Sequence, residues 1–222
     1  MVRRMTSGGR PFWAERWGQQ RIAFHEGRAN ELLVAHVDAL EQGRGKQRIL
    51  VPLAGKAEDL WWLAARGHDV VGVEFVMTAV EAFFAERGLA LRDHEQRLGP
   101  FAAFTADRVT MLCEDFFAMT PAAIGTFDAI YDRAALIAID PSDRVRYVES
   151  CRALGKPSAP TFLISLAYDQ SRAPGPPWSI DRDEIEALYG SASVLQTRTV
   201  QPPKGLADAG VQTIAETAYL IR

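Results

Sequence analysis

Short apolar runs alternate with segments of helical spacing through the middle of the chain. Residues 48–53 are a run of leucine and β-branched residues, long enough for a buried strand but too short for a helix with its own apolar face. Residues 57–66 place Leu60, Leu63 and Ala64 at helical spacing, and a second apolar run at 70–73 ends at Glu74. The pattern predicts a strand–helix–strand unit that ends in a carboxylate.

The same alternation predicts the rest of the framework. Further strands are predicted at 109–113, 127–131, 161–168, 193–200 and 212–221, the last two as a late pair. Helices are predicted at 29–41, 77–87, 142–154 and 181–189, with Asp181 as the N-cap of the last. Residues 89–106 mix charged and turn residues, which predicts an exposed excursion rather than a core element. Together these elements predict an α/β sheet.

The turn after the first strand points to a ligand site. In a right-handed βαβ unit, the turn at Gly55 and the end of the second strand at Glu74 open into one crevice. A carboxylate there can accept hydrogen bonds from two ribose hydroxyls, while N–H groups at the helix start face a polar group. The alternative is an ordinary structural unit with a surface Glu74. A single glycine in the turn argues against NAD.

Composition narrows the class of protein. With 222 residues, 48% of them hydrophobic, and no Pro/Gly/Ser-rich linker, the chain predicts a single domain over residues 10–222 after a disordered stretch at 1–9. A net charge of −3 argues against nucleic acid or an anionic membrane as a partner. Two cysteines, Cys113 and Cys151, are too few for a secreted disulfide scaffold or a metal site, and this favours a location in the reducing cytoplasm. No apolar run is long enough to span a bilayer.

An aromatic segment precedes the first strand. Residues 11–25 contain Phe12, Trp13, Trp17 and Phe24, and the segment ends at His25. We interpret residues 10–45 as an N-terminal helical lid; the alternative is a simple amphipathic helix in which Trp13 and Trp17 bury one face. A histidine in such a place is more often structural than catalytic.

Acidic and basic side chains also follow the later strands. Glu114 and Asp115 follow the 109–113 strand at the edge where open α/β sheets bind ligands, although Asp115 alone is more typical of a turn cap. Asp132 and Arg133 leave the 127–131 strand at the same edge, and the alternative for them is a local ion pair. A rigid proline-rich loop at 173–179 carries Trp178 as a candidate pocket wall.

In this order, the motifs resemble the thiopurine S-methyltransferase family. The resemblance rests on the opening aromatics with His25, VPLAGKAEDLWWLAARGHDVVGVE ending at Glu74, CEDFF from Cys113, DRAALIAI from Asp132 and GPPWS around Trp178. It implies a Rossmann-like class I methyltransferase fold with a seven-stranded, mostly parallel sheet and helices on both faces. It also implies an S-adenosylmethionine-dependent enzyme that methylates the sulfur, selenium or tellurium of a small thiol, selenol or metalloid acceptor, and we expect a monomer.

The resemblance also assigns roles to residues. It implies that the cofactor is surrounded by Trp13, Trp17, Leu53, Gly55, Glu74, Glu114, Asp115 and Arg133. Glu74 would hold the ribose, and Arg133 would lie near the cofactor carboxylate or steer an anionic acceptor. Phe24, His25 and Trp178 would line the acceptor side, and Asp132 or His25 could take a proton from a weakly acidic thiol.

Three other functions stay open at this point. A halide or thiocyanate methyltransferase would share the same fold, but the PLAGK and DRAALIAI segments favour the thiol branch. A nicotinamide-dependent oxidoreductase is disfavoured by the single-glycine turn. A non-catalytic module that binds S-adenosylmethionine or a nucleotide would keep the fold without the reaction.

Overall fold

The structure is a computed structural model that describes residues 9–19 and 25–222. The predicted disorder of residues 1–9 falls almost wholly outside this range, and so does Phe24. Among the described residues, no helix combines the length and apolar character needed to cross a bilayer.

Eight α-helices lie within the described residues. They are α1 (Gly9–Gly18), α2 (Glu31–Glu41), α3 (Asp59–Ala65), α4 (Met77–Ala85), α5 (Pro121–Ile124), α6 (Arg144–Leu154), α7 (Arg182–Tyr189) and α8 (Lys204–Asp208). The predicted helices correspond to α2, α3, α4, α6 and α7. The predicted N-cap is confirmed, because the Asp181 carboxylate accepts a hydrogen bond of 3.0 Å from the Glu184 N–H.

The strands form one mixed sheet. They are β1 (Arg48–Pro52), β2 (Asp69–Glu74), β3 (Glu95–Leu98), β4 (Phe101–Ala106), β5 (Val109–Cys113), β6 (Ala129–Arg133), β7 (Thr161–Ala167), β8 (Ser193–Val200) and β9 (Ile214–Ile221). Their order is β3-β4-β5-β2-β1-β6-β7-β9-β8. The five central strands run parallel, and the outer pairs are antiparallel. The predicted pairing of β1 with β2 and the late pair β8–β9 are confirmed.

The expectation of seven strands is wrong, because the sheet has nine. The two additional strands, β3 and β4, occupy the segment predicted as an exposed excursion. They form a hairpin whose turn contains Gly99 at φ 58°. β3 is polar because it lies at the edge of the sheet, whereas Ala103 and Phe104 of β4 are buried. The charged residues of β3 therefore indicated an edge strand, not a loop.

Apolar cores lie on both faces of the sheet. On one face, α2, α3 and α4 pack through residues such as Leu33, Leu60 and Phe83. On the other face, α6 and α7 pack through residues such as Tyr147 and Ile185. This two-sided burial holds the carboxyl ends of the central strands in a fixed arrangement, and the candidate site lies there.

Candidate active site

The turn after β1 has a constrained backbone. Leu53 has a φ of 46° and Gly55 a φ of 54°, and both values lie in the left-handed region. The Ala54 N–H donates to the Val73 carbonyl of β2 at 2.9 Å. The turn therefore folds back across the end of the neighbouring strand, and Leu53 adopts a backbone conformation that is costly for a residue with a side chain.

The Glu74 carboxylate closes the turn. Its Oε2 accepts a hydrogen bond of 3.0 Å from the Gly55 N–H, and its Oε1 accepts one of 2.8 Å from the Val76 N–H. Only 6% of the residue is exposed. The predicted proximity of Gly55 and Glu74 is thus observed, and two backbone donors fix the carboxylate at the carboxyl edge of the sheet.

A small cavity of about 50 Å³ lies beside this carboxylate. Five of its lining residues carry a predicted cofactor role: Trp13, Trp17, Leu53, Gly55 and Glu74. The other lining residues are Phe75, Ala134 and Ala138, which sequence reasoning missed. The cavity joins α1 to the ends of β1, β2 and β6.

Phe75, Ala134 and Ala138 were missed because their side chains carry no polar or charged group that would mark a site. Ala134 directly follows β6 with a φ of 61°, so strained turns follow two neighbouring strands, at Leu53 and at Ala134. A methyl side chain allows the backbone to approach a ligand closely. Only the DRAALIAI motif pointed to this segment, and it did so through its charged residues.

Helix α1 covers the cavity with its tryptophans. Trp17 is 8% exposed and packs with Val76 and Ala79 at the start of α4, and Trp13 and Phe75 pack against the same cluster. The interpretation of this segment as a lid stays a prediction. One aromatic face both anchors α1 and lines the cavity.

Arg133 joins a buried charge network at the end of β6. Its guanidinium lies 2.6 Å from Glu26 and 3.4 Å from the carboxylate of Asp59 at the start of α3. Asp59 is fully buried and also accepts hydrogen bonds from the Asn30 N–H at 2.6 Å and the Tyr131 hydroxyl at 3.1 Å. Burial raises the pKa of Asp59, while Arg133 opposes that effect.

This network ties three segments together. Asn30 is the N-cap of α2, Asp59 begins α3 and Arg133 ends β6. Asp59 was not among the predicted site residues, because a single acid at a helix start is typical of ordinary capping. Its partners become adjacent only in the folded chain.

Comparisons with known proteins identify the family of the chain. The sequence profile of the thiopurine S-methyltransferase family matches residues 9–222. The chain belongs to the thiopurine S-methyltransferase family. It is 40% identical over 215 residues to a thiopurine S-methyltransferase of Pseudomonas fluorescens, covering 95% of this chain and 97% of that one. A Legionella pneumophila thiopurine S-methyltransferase is 36% identical, with coverages of 96% and 98%.

A solved structure shows the same fold. The Burkholderia thailandensis 1,6-didemethyltoxoflavin-N1-methyltransferase, with bound S-adenosylhomocysteine, superposes with a TM-score of 0.61 at 16% identity, over 95% of this chain and 86% of that one. The fold is that of class I S-adenosylmethionine-dependent methyltransferases. With the family membership, this shows that the chain is a thiopurine S-methyltransferase-like enzyme whose cofactor is S-adenosylmethionine.

The residues around the cavity fit that cofactor chemically. Glu74 offers a fixed carboxylate for hydroxyl groups, and the two tryptophans of α1 offer π faces to a cation. The alanine at position 134 and the turn at Gly55 leave backbone close to the cavity. These features match the ribose and the sulfonium of S-adenosylmethionine.

The acids after β5 lie next to this site without lining the cavity. The Glu114 N–H donates to the Glu74 carbonyl at 3.1 Å, and the Glu114 carboxylate accepts from the Asp115 N–H at 2.8 Å. Asp115 accepts from the Phe117 N–H at 3.0 Å, as expected for a residue that caps the following turn. The adenine role of both residues stays a prediction.

The predicted acceptor-side residues lie on separate segments. His25 approaches Glu86 at 3.7 Å; burial lowers its pKa, and the nearby Lys56 ammonium lowers it further. The backbone N–H of Trp178 donates to the Ile137 carbonyl at 2.7 Å, next to the cavity residue Ala138. Phe24 lies outside the described residues, and the roles of His25 and Trp178 stay predictions.

Asp132 lies on the opposite side of β6 from Arg133. Neighbouring strand residues point to opposite faces, so the two side chains do not pair with each other. Asp132 is fully buried and accepts hydrogen bonds from the Tyr147 hydroxyl at 2.7 Å and the Leu136 N–H at 3.1 Å. Burial raises its pKa to about 6.

Replacing Asp132 with asparagine should change how stability depends on pH. Because the folded pKa is about 6 and the ordinary value 3.8, the folded state holds a proton between these pH values that the unfolded state lacks. The Asp132 contribution to stability therefore falls by about 3 kcal/mol as pH rises from about 4 to 6, and is then constant. The difference between the unfolding free energies of the variant and the wild type, measured by urea titration, should follow this curve.

The exposed Asp169 provides a matched control. Asp169→Asn removes a carboxylate that is 59% exposed and belongs to a surface pair. The difference between the unfolding free energies of Asp169→Asn and the wild type should not show the pH dependence expected for Asp132→Asn. An Asp132→Asn difference that is flat between pH 4 and 7 would show that the buried carboxyl does not titrate in this window.

Proposed function

We propose that the enzyme transfers the methyl group of S-adenosylmethionine to the sulfur of a small thiol, or to the selenium or tellurium of a comparable acceptor. The observation that supports this is the convergence of Glu74 with Trp13 and Trp17 at the carboxyl edge of the sheet. Bound there, the cofactor supplies a methyl group on a positively charged sulfur. Glu74 would accept hydrogen bonds from its ribose, and Glu114 and Asp115 would lie beside its adenine.

The acceptor chemistry requires orientation and exclusion of water more than proton abstraction. A soft, acidic thiol is already partly anionic near neutral pH, and its lone pair forms the new bond to the methyl carbon as the sulfonium bond breaks. Arg133 would steer an anionic acceptor. His25, whose lowered pKa keeps the imidazole neutral at pH 7, would receive the proton of a less acidic thiol.

Asp132 would influence the site through the backbone. Its carboxylate is enclosed and holds the Leu136 N–H of the segment that follows β6. That segment contains Ala134 and Ala138, which line the cavity. We therefore assign Asp132 as a positioning residue for this wall.

Mass-spectrometric detection of methylated products tests the acceptor class. We expect 2-mercaptopyridine or a simple selenol to be methylated, and 2-hydroxypyridine, which has the same ring with oxygen, to be left unmodified. Iodide and thiocyanate should give no product. Product from these two ions alone would support the halide methyltransferase instead, and binding of S-adenosylhomocysteine without any product would support a non-catalytic module.

We propose that α1 is a lid that moves when the cofactor binds. The cavity of about 50 Å³ is far smaller than the roughly 300–1,000 Å³ typical of pockets for such ligands. Trp13 and Trp17 fill the space in the described arrangement. Outward displacement of this helix would open the site, and its return would exclude water.

Tryptophan fluorescence measures this movement. Adding S-adenosylhomocysteine should shift the emission of the wild type, and Trp17→Phe should remove most of the shift. Trp62→Phe is the control, because Trp62 stacks with Arg66 on α3 and does not line the cavity. A shift that Trp17→Phe leaves unchanged would contradict the lid.

We also propose that the protein is a cytoplasmic monomer. Among the described residues, four large apolar side chains are exposed, at Val34, Met77, Val145 and Val194. Cys113 and Cys151 are not joined by a disulfide, as expected in a reducing compartment. Light scattering after size-exclusion chromatography should give the 24.5 kDa mass of one chain.

A further inference from the structure

The proline-rich loop at residues 173–179 lies at the same edge of the sheet as the cofactor cavity. It comes after the carboxyl end of β7, which pairs in parallel with β6. The backbone N–H of Trp178 donates to the Ile137 carbonyl at 2.7 Å. Ile137 precedes Ala138, which lines the cavity, so this hydrogen bond attaches the loop to the segment that walls the cofactor site.

The composition of the proline-rich loop limits how its backbone can hold itself in place. Positions 174, 176 and 177 are prolines, and a proline has no backbone N–H to donate. Residues 173–179 form neither a helix nor a strand. Hydrogen bonds from side chains outside the loop therefore determine its conformation.

The Gln170 side chain makes such bonds at both ends of the loop. Its amide nitrogen donates to the Ala173 carbonyl at 2.6 Å, and its amide oxygen accepts from the Ser179 N–H at 2.6 Å. The same nitrogen donates to the Tyr168 hydroxyl at 3.3 Å. Both amide hydrogens and the amide oxygen are thus used, and one side chain joins the two ends of the loop.

Tyr168 adds a contact directly before Trp178. Its hydroxyl donates to the Pro177 carbonyl. Its backbone pairs with the Ser179 hydroxyl, because the Tyr168 N–H donates to Ser179 Oγ at 2.9 Å and the hydroxyl donates to the Tyr168 carbonyl at 2.8 Å. Together, Tyr168 and Gln170 hold the residues on both sides of Trp178.

The Trp178 indole is itself closely packed. The loop backbone at Gly175 approaches the ring so closely that a Cβ atom on Gly175 would lie 2.6 Å from it. The Arg144 guanidinium, which forms an ion pair with Glu184 of α7, lies 6.0 Å from the ring centre. Trp178 packs against the core on the α6 side of the sheet but is only partly buried. The ring therefore has a fixed position and an accessible part.

We propose that Gln170 and Tyr168 are positioning residues for the methyl acceptor. They hold the proline-rich loop so that the accessible part of the Trp178 ring is a fixed apolar wall. The inference rests on the proposed function, in which Trp178 lines the acceptor side. A wall that is ordered before binding lowers the entropic cost of placing the acceptor, so it affects acceptor affinity more than the methyl-transfer step.

The variant Gln170→Met tests this role, because methionine has a similar length and lacks the amide. With 2-mercaptopyridine as acceptor, we expect the acceptor KM to rise about tenfold and kcat to change by less than about twofold. The affinity for S-adenosylhomocysteine should stay the same. Tyr168→Phe removes one of these contacts and should raise the acceptor KM by a smaller factor. Gln96→Met is the control, because Gln96 is exposed on β3 at the far edge of the sheet.

Two further measurements separate positioning from a general loss of structure. By NMR hydrogen exchange, Gln170→Met should accelerate exchange of the Trp178 and Ser179 amides by about tenfold and leave the amides of β1 unchanged. In a Trp178→Leu background, Gln170→Met should no longer change the acceptor KM, because the side chain through which it acts is absent.

Three outcomes would overturn the inference. Unchanged exchange of the Ser179 amide in Gln170→Met would show that Gln170 does not hold the loop. Faster exchange with an unchanged acceptor KM would show that the loop is not a wall of the acceptor site. An effect of Gln170→Met on KM that persists in the Trp178→Leu background would show that Gln170 does not act through Trp178. Failure of the proposed function differs from all three, because the wild type itself would then give no methylated product, and the acceptor role of the loop would be rejected with it.

Discussion

Replacing Glu74 with alanine should lower the affinity for S-adenosylhomocysteine by about 100-fold. Only 6% of Glu74 is exposed, and its carboxylate is oriented by the Gly55 and Val76 N–H groups. Two hydrogen bonds from ribose hydroxyls to such a fixed charge are worth about 3 kcal/mol together. Isothermal titration with the wild type and the variant measures this loss.

The alanine substitution also removes the acceptor of two backbone donors, so stability must be measured in parallel. Glu74→Gln retains a carbonyl oxygen and should have an intermediate affinity. Glu81→Ala on the exposed face of α4 removes an acid of the same size outside the cavity and should bind normally. Unchanged affinity in a folded Glu74→Ala variant would rule out the proposed contact between Glu74 and the ribose.

The central strands were predictable because their signals are local. β1, α3 and β2 follow one another within 27 residues, and each carries its own apolar period. The right-handed crossover then determines that Gly55 and Glu74 meet. Where a site is formed by the ends of consecutive elements, residue spacing along the chain is sufficient to predict which residues meet.

The β3–β4 hairpin was not predictable from the same kind of signal. An edge strand is exposed on one side, and its polar residues resemble those of a loop until the neighbouring strand is known. The polar side chains of Glu95 and Arg97 thus led to the prediction of a loop, whereas the structure has a strand that pairs with β4. Residues of this hairpin line a cavity at the amino ends of β1 and β2.

The Asp59 network was not predictable for a different reason. Its members lie at positions 26, 30, 59, 131 and 133, on three segments that pack together only in the folded chain. A single sequence shows each as a separate polar residue. Only tertiary structure shows that Arg133, predicted near the cofactor carboxylate or the acceptor, has a fully buried counter-charge in Asp59.

Replacing Arg133 with methionine should therefore affect both stability and activity. The variant leaves Asp59 buried without its cation, which raises the pKa of Asp59 further and destabilises the fold by about 3 kcal/mol or more. Loss of the guanidinium should also reduce kcat/KM for an anionic acceptor by about 100-fold. Urea unfolding and product formation measure the two effects separately.

A double substitution separates these two roles of Arg133. Combining Arg133→Met with Asp59→Asn removes the buried charge while the amide oxygen still accepts from the Asn30 N–H, so most of the stability should return. Activity should not return, because the cation that steers the acceptor is still absent. Arg66→Met, which breaks the surface pair with Glu41, should change neither quantity by more than about 1 kcal/mol. If the double variant regains both stability and activity, Arg133 serves only to neutralise Asp59, and the acceptor must be oriented by other residues.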